Sequence, residues 1–552
     1  MAACSLDFKD LRNAYNTGLT PSEVIERLYP RLTSEHGMFN FLLPLKDLLS
    51  RCRAIESSQP DTRGPLYGIP FGVKDNIDVA GLPTTASCEA FRYIPAESAP
   101  VVQVLLDAGG VMVGKTNLDQ FAAGLVGTRT PYGTARNPFD DRFIPGGSSS
   151  GSGAAVGGGL LSFALGTDTA GSGRVPGHFC GCVGIKPTVG RFSTTGVVPA
   201  CRSLDCPSVF ARCVEDGAEV ARLMQEAGRR VEDRNWRTRP VSLPSFGSTA
   251  ALSSKGPVTP EQSPVTHSGA PRSPTANGHS APRFKFGVPS AKFLSFAGPG
   301  GDDFARGYER LYKEACERLQ EQGGEPVSID FAPFATAAGM LYTSAFLAER
   351  YAGIRAFLES KGKNVSRDTL ASDSRMERVT AAILSGAPQY SAADAFDAFT
   401  QLNELRAAAR VEMARVDFLV VPSAAHHYTV AEIEADEKTA STASWAKNGN
   451  LGRFTNFVNL MDMAAIAIPS GILRCQPIAA EATGEVAQRA QHLAATGNPA
   501  PVLPFGVTLI GPAWSDDALW EVAAAFHADT GLGCGPEGHG VQPYRHKASS
   551  QS

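Results

Sequence analysis

The 552-residue chain has no run of about 20 apolar residues, so no membrane-spanning helix is expected. It has no long basic run and its formal net charge is -4, which argues against a nucleic-acid partner. Its first residues, MAACSLDFKDLRNAY, hold no apolar core of signal-peptide length. Its last, HKASSQS, form no recognisable address, and a cytoplasmic location is expected. Histidine is scarce, at ten, and none sits in a convincing late-chain catalytic motif. No internal repeat is visible. The eleven cysteines are an odd number without metal-ligand spacing, as expected of reduced thiols. Cys180 and Cys182 have no second Cys or His pair at zinc distance, so they read as small buried residues. Neither a metal nor a cofactor is expected.

What the chain does have is glycine. There are 56, and the excess is clustered with serine in GGSSSGSGAAV (146–156) and GTDTAGSGR (166–174). Glycine allows close backbone approach and positive φ; serine supplies a nucleophile or a proton relay. Around these blocks the patterning alternates. Thr20-Pro21-Ser22-Glu23 caps a helix start. GIPFGVKDNID (68–78) reads as a strand into a turn, VVQVLLDAG (101–109) as a helix, and VMVGKT (111–116) as a buried strand. SGSGAAVGGGLLSFALGTD reads as a small-residue helix followed by a strand. Later come FKFGVP (284–289), a helix over about 335–361, DFLVVPS (417–423) and PFGVTLIG (504–511). The fold class is α/β, a central mixed β-sheet covered by helices on both faces. Residues 238–283 are dominated by Ser, Pro, Thr, Gly and Ala and read as a disordered insertion. It divides one domain into an N-terminal part (1–237) and a C-terminal part (284–535), followed by a disordered tail (536–552).

Two short motifs are coincidences on this reading. GGVMVGKT (109–116) fits a phosphate-binding loop, but Val111-Met112-Val113 is strand material. GSSSG (147–151) fits a hydrolase nucleophile elbow, but a proline, not a strand, precedes it.

A third match spans far more residues. GGSSSGSGAAV, GTDTAGSGRVP, VGIKPTVGR and the upstream GIPFGVKDN together resemble the amidase signature family, from about residue 20 to about 530. The resemblance implies the amidase signature fold and amide hydrolysis through an acyl-enzyme. It assigns Lys74 as base, Ser148 as bridging serine beyond a cis peptide, and Ser172 as nucleophile. A neutral lysine can act as base where burial and hydrogen bonds lower its pKa. The resemblance places oxyanion donors on the backbone of Thr169, Ala170, Gly171 and Ser172. Asp168 and Arg174 flank that loop, as a structural ion pair or as substrate contacts.

Within the family, the segment Ala170-Gly171-Ser172-Gly173-Arg174-Val175-Pro176 and the blocks STTGVVPACRSLDC, QFAAGLVGTRTPYG, RFTNFVNLMDMAAIAIP and LPFGVTLIGPA are most similar to allophanate hydrolases. This resemblance implies a small carboxylated amide as substrate, made from urea by a biotin-dependent carboxylase, with ammonia and carbon dioxide as products. Tyr342 and Arg350 match its substrate-recognising residues, and eight residues of helix would leave them roughly on one face. Gly124 matches a glycine whose backbone lines the pocket. Three features depart from the pattern. Thr343-Ser344-Ala345 replaces Glu-Gly-Pro, Phe179-Cys180-Gly181 replaces Phe-Asn-Asn, and the small C-terminal domain of many members has no counterpart in this sequence. An amidase for another small amide is the alternative, and an amidotransferase A-type subunit ranks below it. Expected partners are the small amide, a second copy of the chain, and a functional link to urea carboxylase.

Overall fold

The computed structural model describes residues 5–59, 62–229, 283–294, 296, 302–361, 366–438, 446–474, 500–543 and 545. Residues 238–282 of the expected insertion lie outside the described residues.

Eleven strands form one mixed sheet. In chain order they are β1 (Phe39–Leu42), β2 (Pro70–Lys74), β3 (Val111–Thr116), β4 (Phe163–Asp168), β5 (Val183–Lys186) and β6 (Cys206–Ala211). Then come β7 (Phe284–Pro289), β8 (Gly324–Ile329), β9 (Phe418–Pro422), β10 (Met463–Arg474) and β11 (Val502–Pro512). Their order across the sheet is β1-β3-β2-β4-β6-β5-β10-β11-β9-β7-β8. The runs β3-β2-β4 and β9-β7-β8 are parallel; the other pairings are antiparallel.

The run β3-β2-β4 is buried through its length, as strands covered on both faces must be. Phe71 of β2 stacks on Phe163 of β4 with ring centroids 4.9 Å apart, and the Phe8 ring meets Phe163 edge-on at 5.8 Å. Phe8 opens the helix Phe8–Asn16, and the next helix, Pro21–Ser34, starts with the expected capping box. The Glu23 amide donates to Thr20 Oγ1 at 3.2 Å, and the Thr20 amide to Glu23 Oε2 at 2.9 Å.

Two expectations are corrected. The run 335–361 is not one helix but three, Ala332–Thr343, Phe346–Gly353 and Arg355–Leu358. Ser344 is extended, and hydroxyls take over the last carbonyls. Thr343 Oγ1 donates to the Gly339 carbonyl at 2.9 Å and Ser344 Oγ to that of Met340 at 2.7 Å. The tail expected to be disordered from residue 536 is ordered further: Gly535–Gly538 is a helical turn, the Gly535 amide donates to Gly181 at 2.8 Å, and Arg545 Nη1 donates to the Asn137 carbonyl at 2.9 Å.

Candidate active site

The site grows from the ends of two neighbouring parallel strands. Val73 of β2 pairs with Leu165 of β4, so Lys74 leaves β2 level with the last residues of β4. Open α/β sheets place their ligand crevices at such carboxyl ends. Lys74 is fully buried, and its Nζ donates to Ser148 Oγ and to Thr167 Oγ1, both at 2.8 Å. Thr167 Oγ1 also accepts from Asn76 Nδ2 at 3.2 Å. Burial pulls the Lys74 pKa down to about 7, against the opposing fields of Asp119, Asp168 and Asp205. The amine is therefore neutral in a large share of molecules near neutral pH.

Ser148 is fully buried and follows a cis Gly147–Ser148 peptide. Its carbonyl accepts from the Asp119 amide at 3.0 Å. A Cβ on Gly147 would sit 2.6 Å from the Gly127 amide nitrogen, so only glycine lets the serine segment press against the 119–129 loop. The Asp119 carboxylate organises that loop, accepting from the amides of Val126 (3.2 Å), Gly127 (3.0 Å) and Arg129 (3.0 Å). Gly124 lies inside it; a Cβ there would come within 2.8 Å of both Arg129 Nη1 and Asp119 Oδ2.

Ser172 lies on the loop that follows β4 and is 3% exposed. Thr169, Ala170 and Gly171 precede it on the same loop. Gly171 has φ 154°, and a Cβ there would lie 2.8 Å from Thr455 Cβ. Asp168 anchors the loop. Its carboxylate accepts from the Gly173 amide and from Arg174 Nε and Nη2, each at 2.9 Å. Burial alone would raise the Asp168 carboxyl, but Arg174, Lys186 and the Gly173 amide hold it below its usual value. Arg174 gives its remaining reach to the Thr455 carbonyl (3.1 Å) and Asn459 Oδ1 (3.2 Å). Both members of the pair spend their hydrogen bonds on the protein, the geometry of a structural ion pair.

Tyr342 and Arg350 stand on two different helices, not on one face of a single helix. The break at Ser344 still brings them together: Arg350 Nη2 donates to Tyr342 Oη at 3.4 Å, and the guanidinium lies 5.0 Å from the phenol ring centroid. Arg350 is 3% exposed, its Nε has no hydrogen-bond partner, and it forms no ion pair among the described residues. Ala123, beside Gly124, packs in one apolar cluster with Tyr342 and Leu347. A cavity of about 390 Å³ opens there, lined by Tyr342, Thr343, Leu347, Ile383 and Asn448, and Asn448 Oδ1 accepts the Leu125 amide at 2.9 Å.

The two short motifs are absorbed elsewhere. Lys115 is buried inside β3, 3.1 Å from Asp75 Oδ1, and donates to the Pro83 carbonyl at 3.0 Å, which leaves no amine for phosphate. Ser149 Oγ donates to the Thr167 carbonyl at 3.2 Å and accepts the Thr167 amide at 3.4 Å, a structural use of the hydroxyl.

The model of the family described as Amidase matches residues 23–258 and 274–520. The chain belongs to this amidase family. It is similar to urea amidolyase of Saccharomyces cerevisiae, 36% identical over 485 residues, covering 87% of this chain but 22% of the relative. The chain thus spans about a fifth of the length of that relative. Among solved structures, it resembles allophanate hydrolase of Kluyveromyces lactis with TM-score 0.73 and 32% identity, covering 96% of this chain and 74% of that one. The A-type subunit of glutamyl-tRNA(Gln) amidotransferase of Lawsonia intracellularis is 41% identical over 199 residues, 36% of this chain and 41% of the relative. The fold of this amidase is the expected α/β arrangement, a large mixed sheet flanked by helices. Among the described residues, no helix is long and apolar enough to cross a membrane.

Several members of this amidase's polar lattice were not singled out from the sequence: Thr167, Asn76, Asp119, Asp205, Asn448 and Asn459. Asn459 Nδ2 donates to the carbonyls of Asp168 (2.8 Å) and Leu204 (2.9 Å). The signal was partly there. Thr167 sits inside GTDTAGSGR, and Asp205 and Asn459 lie in STTGVVPACRSLDC and RFTNFVNLMDMAAIAIP. What the sequence hides is which strand ends meet.

Proposed function

We propose that this amidase hydrolyses allophanate or a related small amide bearing a carboxylate, with Ser172 as nucleophile, Ser148 as relay and Lys74 as base. Ser172 Oγ attacks the amide carbonyl and forms a C–O bond. Its proton passes to Ser148 Oγ while the Ser148 proton passes to the neutral Lys74 amine. The oxyanion is held by backbone amides of Thr169, Ala170, Gly171 and Ser172. The C–N bond then breaks, and Lys74 returns the proton through Ser148 to the leaving nitrogen. Water hydrolyses the acyl-enzyme by the same relay. With allophanate the products are ammonia and N-carboxycarbamate, which loses carbon dioxide as it breaks down. The 2.8 Å Lys74–Ser148 contact and the lowered amine pKa support the relay.

The observation that carries the substrate class is Arg350, a buried guanidinium with an unpartnered Nε beside Tyr342. An arginine cannot shed its charge, so a buried one calls for an anion. A substrate carboxylate fits it bidentately. The likeness to urea amidolyase and allophanate hydrolase supports the same choice and a functional link to urea carboxylation.

A second reading is a longer carboxylated amide. It is favoured by the cavity of about 390 Å³ on Tyr342 and by the helix break at Thr343-Ser344. Ammonia release from allophanate, malonamate, biuret and aryl amides separates the readings. Highest kcat/KM on allophanate supports the first, and preference for a longer anionic amide the second. Preference for neutral or bulky amides would overturn both.

A further inference from the structure

The segment 199–205 touches both halves of the site. At one end it holds the catalytic loop. Asp205 Oδ1 accepts from Thr169 Oγ1 at 2.5 Å and from the Cys201 amide at 3.0 Å, while Oδ2 accepts from the Ala200 amide at 2.9 Å. The Leu204 carbonyl shares Asn459 Nδ2 with the carbonyl of Asp168. At the other end it clasps the helix Phe346–Gly353 that carries Arg350. The Ser203 amide donates to Glu349 Oε1 at 2.7 Å, and Ser203 Oγ to Glu349 Oε2 at 2.8 Å. Cys201 Sγ reaches the Phe346 carbonyl at 3.6 Å. Pro199 closes on Gly353, where a Cβ would lie 3.1 Å from the proline Cγ.

One short, doubly anchored segment therefore spans from the residue next to Arg350 to the loop that carries Ser172. Asp205 is buried, as are Cys201 and Leu204, and its carboxylate is committed on both oxygens. The clasp at Glu349 is a two-point hydrogen bond that holds the helix in one register.

We infer that the segment 199–205 is a spacer that fixes the distance between Arg350 and the Ser172 loop and so sets the length of carboxylated amide the enzyme accepts, with Asp205 and Glu349 as positioning residues. The inference rests on the reading that Arg350 takes the substrate carboxylate. A substrate one methylene longer places its carbonyl about 1 Å away from the attacking oxygen, a displacement that costs up to about a hundredfold in rate. Loosening the clasp relaxes that requirement without touching the nucleophile.

The test compares kcat/KM for malonamate, succinamate and glutaramate, with propionamide as the neutral reference, in the wild type, Glu349→Ala, Glu349→Gln and Ser203→Ala. The wild type is expected to favour malonamate over succinamate by about tenfold or more. Glu349→Ala should narrow that ratio by about fivefold to tenfold, mainly through a higher KM for malonamate, on the scale of one ordinary net hydrogen bond. Its kcat/KM for propionamide should fall less than that for malonamate, since the neutral amide has no carboxylate for Arg350 to place. Ser203→Ala and Glu349→Gln, each removing part of the clasp, should give intermediate ratios. Asp205→Asn should lower kcat for all four amides, because Thr169 loses its charged acceptor. A wild type indifferent to the carboxylate would overturn the Arg350 reading and the spacer with it. A wild type that selects malonamate, with a ratio unmoved by Glu349→Ala or equal losses on all four amides, would overturn the spacer alone.

Discussion

Lys74 and Arg350 are both buried cationic side chains, 0% and 3% exposed, yet their surroundings differ in kind. Lys74 has two hydroxyl partners at 2.8 Å and lies in the fields of Asp119, Asp168 and Asp205. Arg350 has one phenol oxygen at 3.4 Å and a spare Nε, with Asp205 and Glu349 acting on it as fields but forming no ion pair with it among the described residues. Burying a charge without a partner is costly. Lysine escapes the cost by losing its proton; arginine cannot. In the proposed roles, the Lys74 side is complete without a ligand, and the Arg350 side is completed by the substrate's anion. The difference separates two kinds of function that residue type alone does not distinguish. In these roles, a buried lysine among hydroxyls would serve as a base, and a buried arginine with no ion pair would serve to bind an anion.

The largest effects should come from removing the complete side. Ser172→Ala should lower kcat by roughly four to six orders of magnitude, as for other nucleophiles that act with a relay. Lys74→Arg is the sharper variant, because it keeps a charge but removes the base. It should be as inactive as Lys74→Ala, whereas Arg350→Lys, which keeps a cation for the carboxylate, should retain measurable turnover. The pH profile follows from the same amine. Its neutral form is the base, so kcat/KM should fall about tenfold per pH unit below the apparent pKa, near 7. A flat profile from pH 8 to pH 5 would separate Lys74 from the chemistry.

Next in size is a stability effect. The folded-state pKa of Lys74, about 7, lies below its ordinary value of 10.5, because burial disfavours the charged form. Between those pH values the unfolded chain binds the proton and the folded one does not, so stability rises with pH across that window. Below about 7 the cost is fully present, on the order of a few kcal/mol. Lys74→Met removes it, and the inactive variant should melt at a higher temperature than wild type at pH 7. Arg350 gives no such pH dependence, since it stays charged in both states. Calorimetry on Lys74→Met that shows a lower Tm would mean that the hydroxyl partners repay the burial.

The sequence singled out Lys74 and Ser148, which the structure joins by a hydrogen bond, more readily than it showed how Tyr342 and Arg350 meet, for a physical reason. Lys74, Ser148 and Ser172 sit in glycine-dense blocks because tight backbone approach is needed there. Gly147 meets the Gly127 amide and Gly171 meets Thr455, and such constraints leave dense local patterns. Six of the strands, β2, β3, β4, β7, β9 and β11, were legible as short apolar runs, whereas β1, β5, β6, β8 and β10 were not singled out. The helix break at Ser344 was not. Hydroxyls that cap carbonyls at 339 and 340 look, in sequence, like ordinary helix interior. Asp205 and Asn459 were invisible as supports because their partners, Thr169 and Asp168, lie 36 and 291 residues away.

Arg350→Ala tests the incomplete side directly. A charged hydrogen bond to a carboxylate contributes about 1.5–3 kcal/mol, so kcat/KM for an anionic amide should fall roughly tenfold to a hundredfold or somewhat more. A neutral amide of similar size should lose little. The expected stability change is modest, because Arg350 forms no ion pair among the described residues but lies in the favourable fields of Asp205 and Glu349. Equal losses on anionic and neutral amides would make Arg350 a structural residue.

The smallest effect should come from Ser149, and it separates two serines that the motif GSSSG leaves side by side. Ser148 points its hydroxyl at Lys74; Ser149 points its own at the backbone of Thr167. If Ser149 were the nucleophile of an elbow, Ser149→Ala would abolish turnover and a serine-reactive probe would label its peptide. The hydrogen bonds give a different outcome. Losing one buried hydroxyl that bridges the Thr167 amide and carbonyl costs about 1 kcal/mol of stability. Because Thr167 Oγ1 also accepts from Lys74 Nζ, some of that loosening reaches the base. Ser149→Ala should therefore fold, melt about 1 °C lower and keep kcat within roughly tenfold of wild type. The probe should mark the peptide containing Ser172 in wild type and Ser149→Ala alike, and should mark neither Ser172→Ala nor Lys74→Ala.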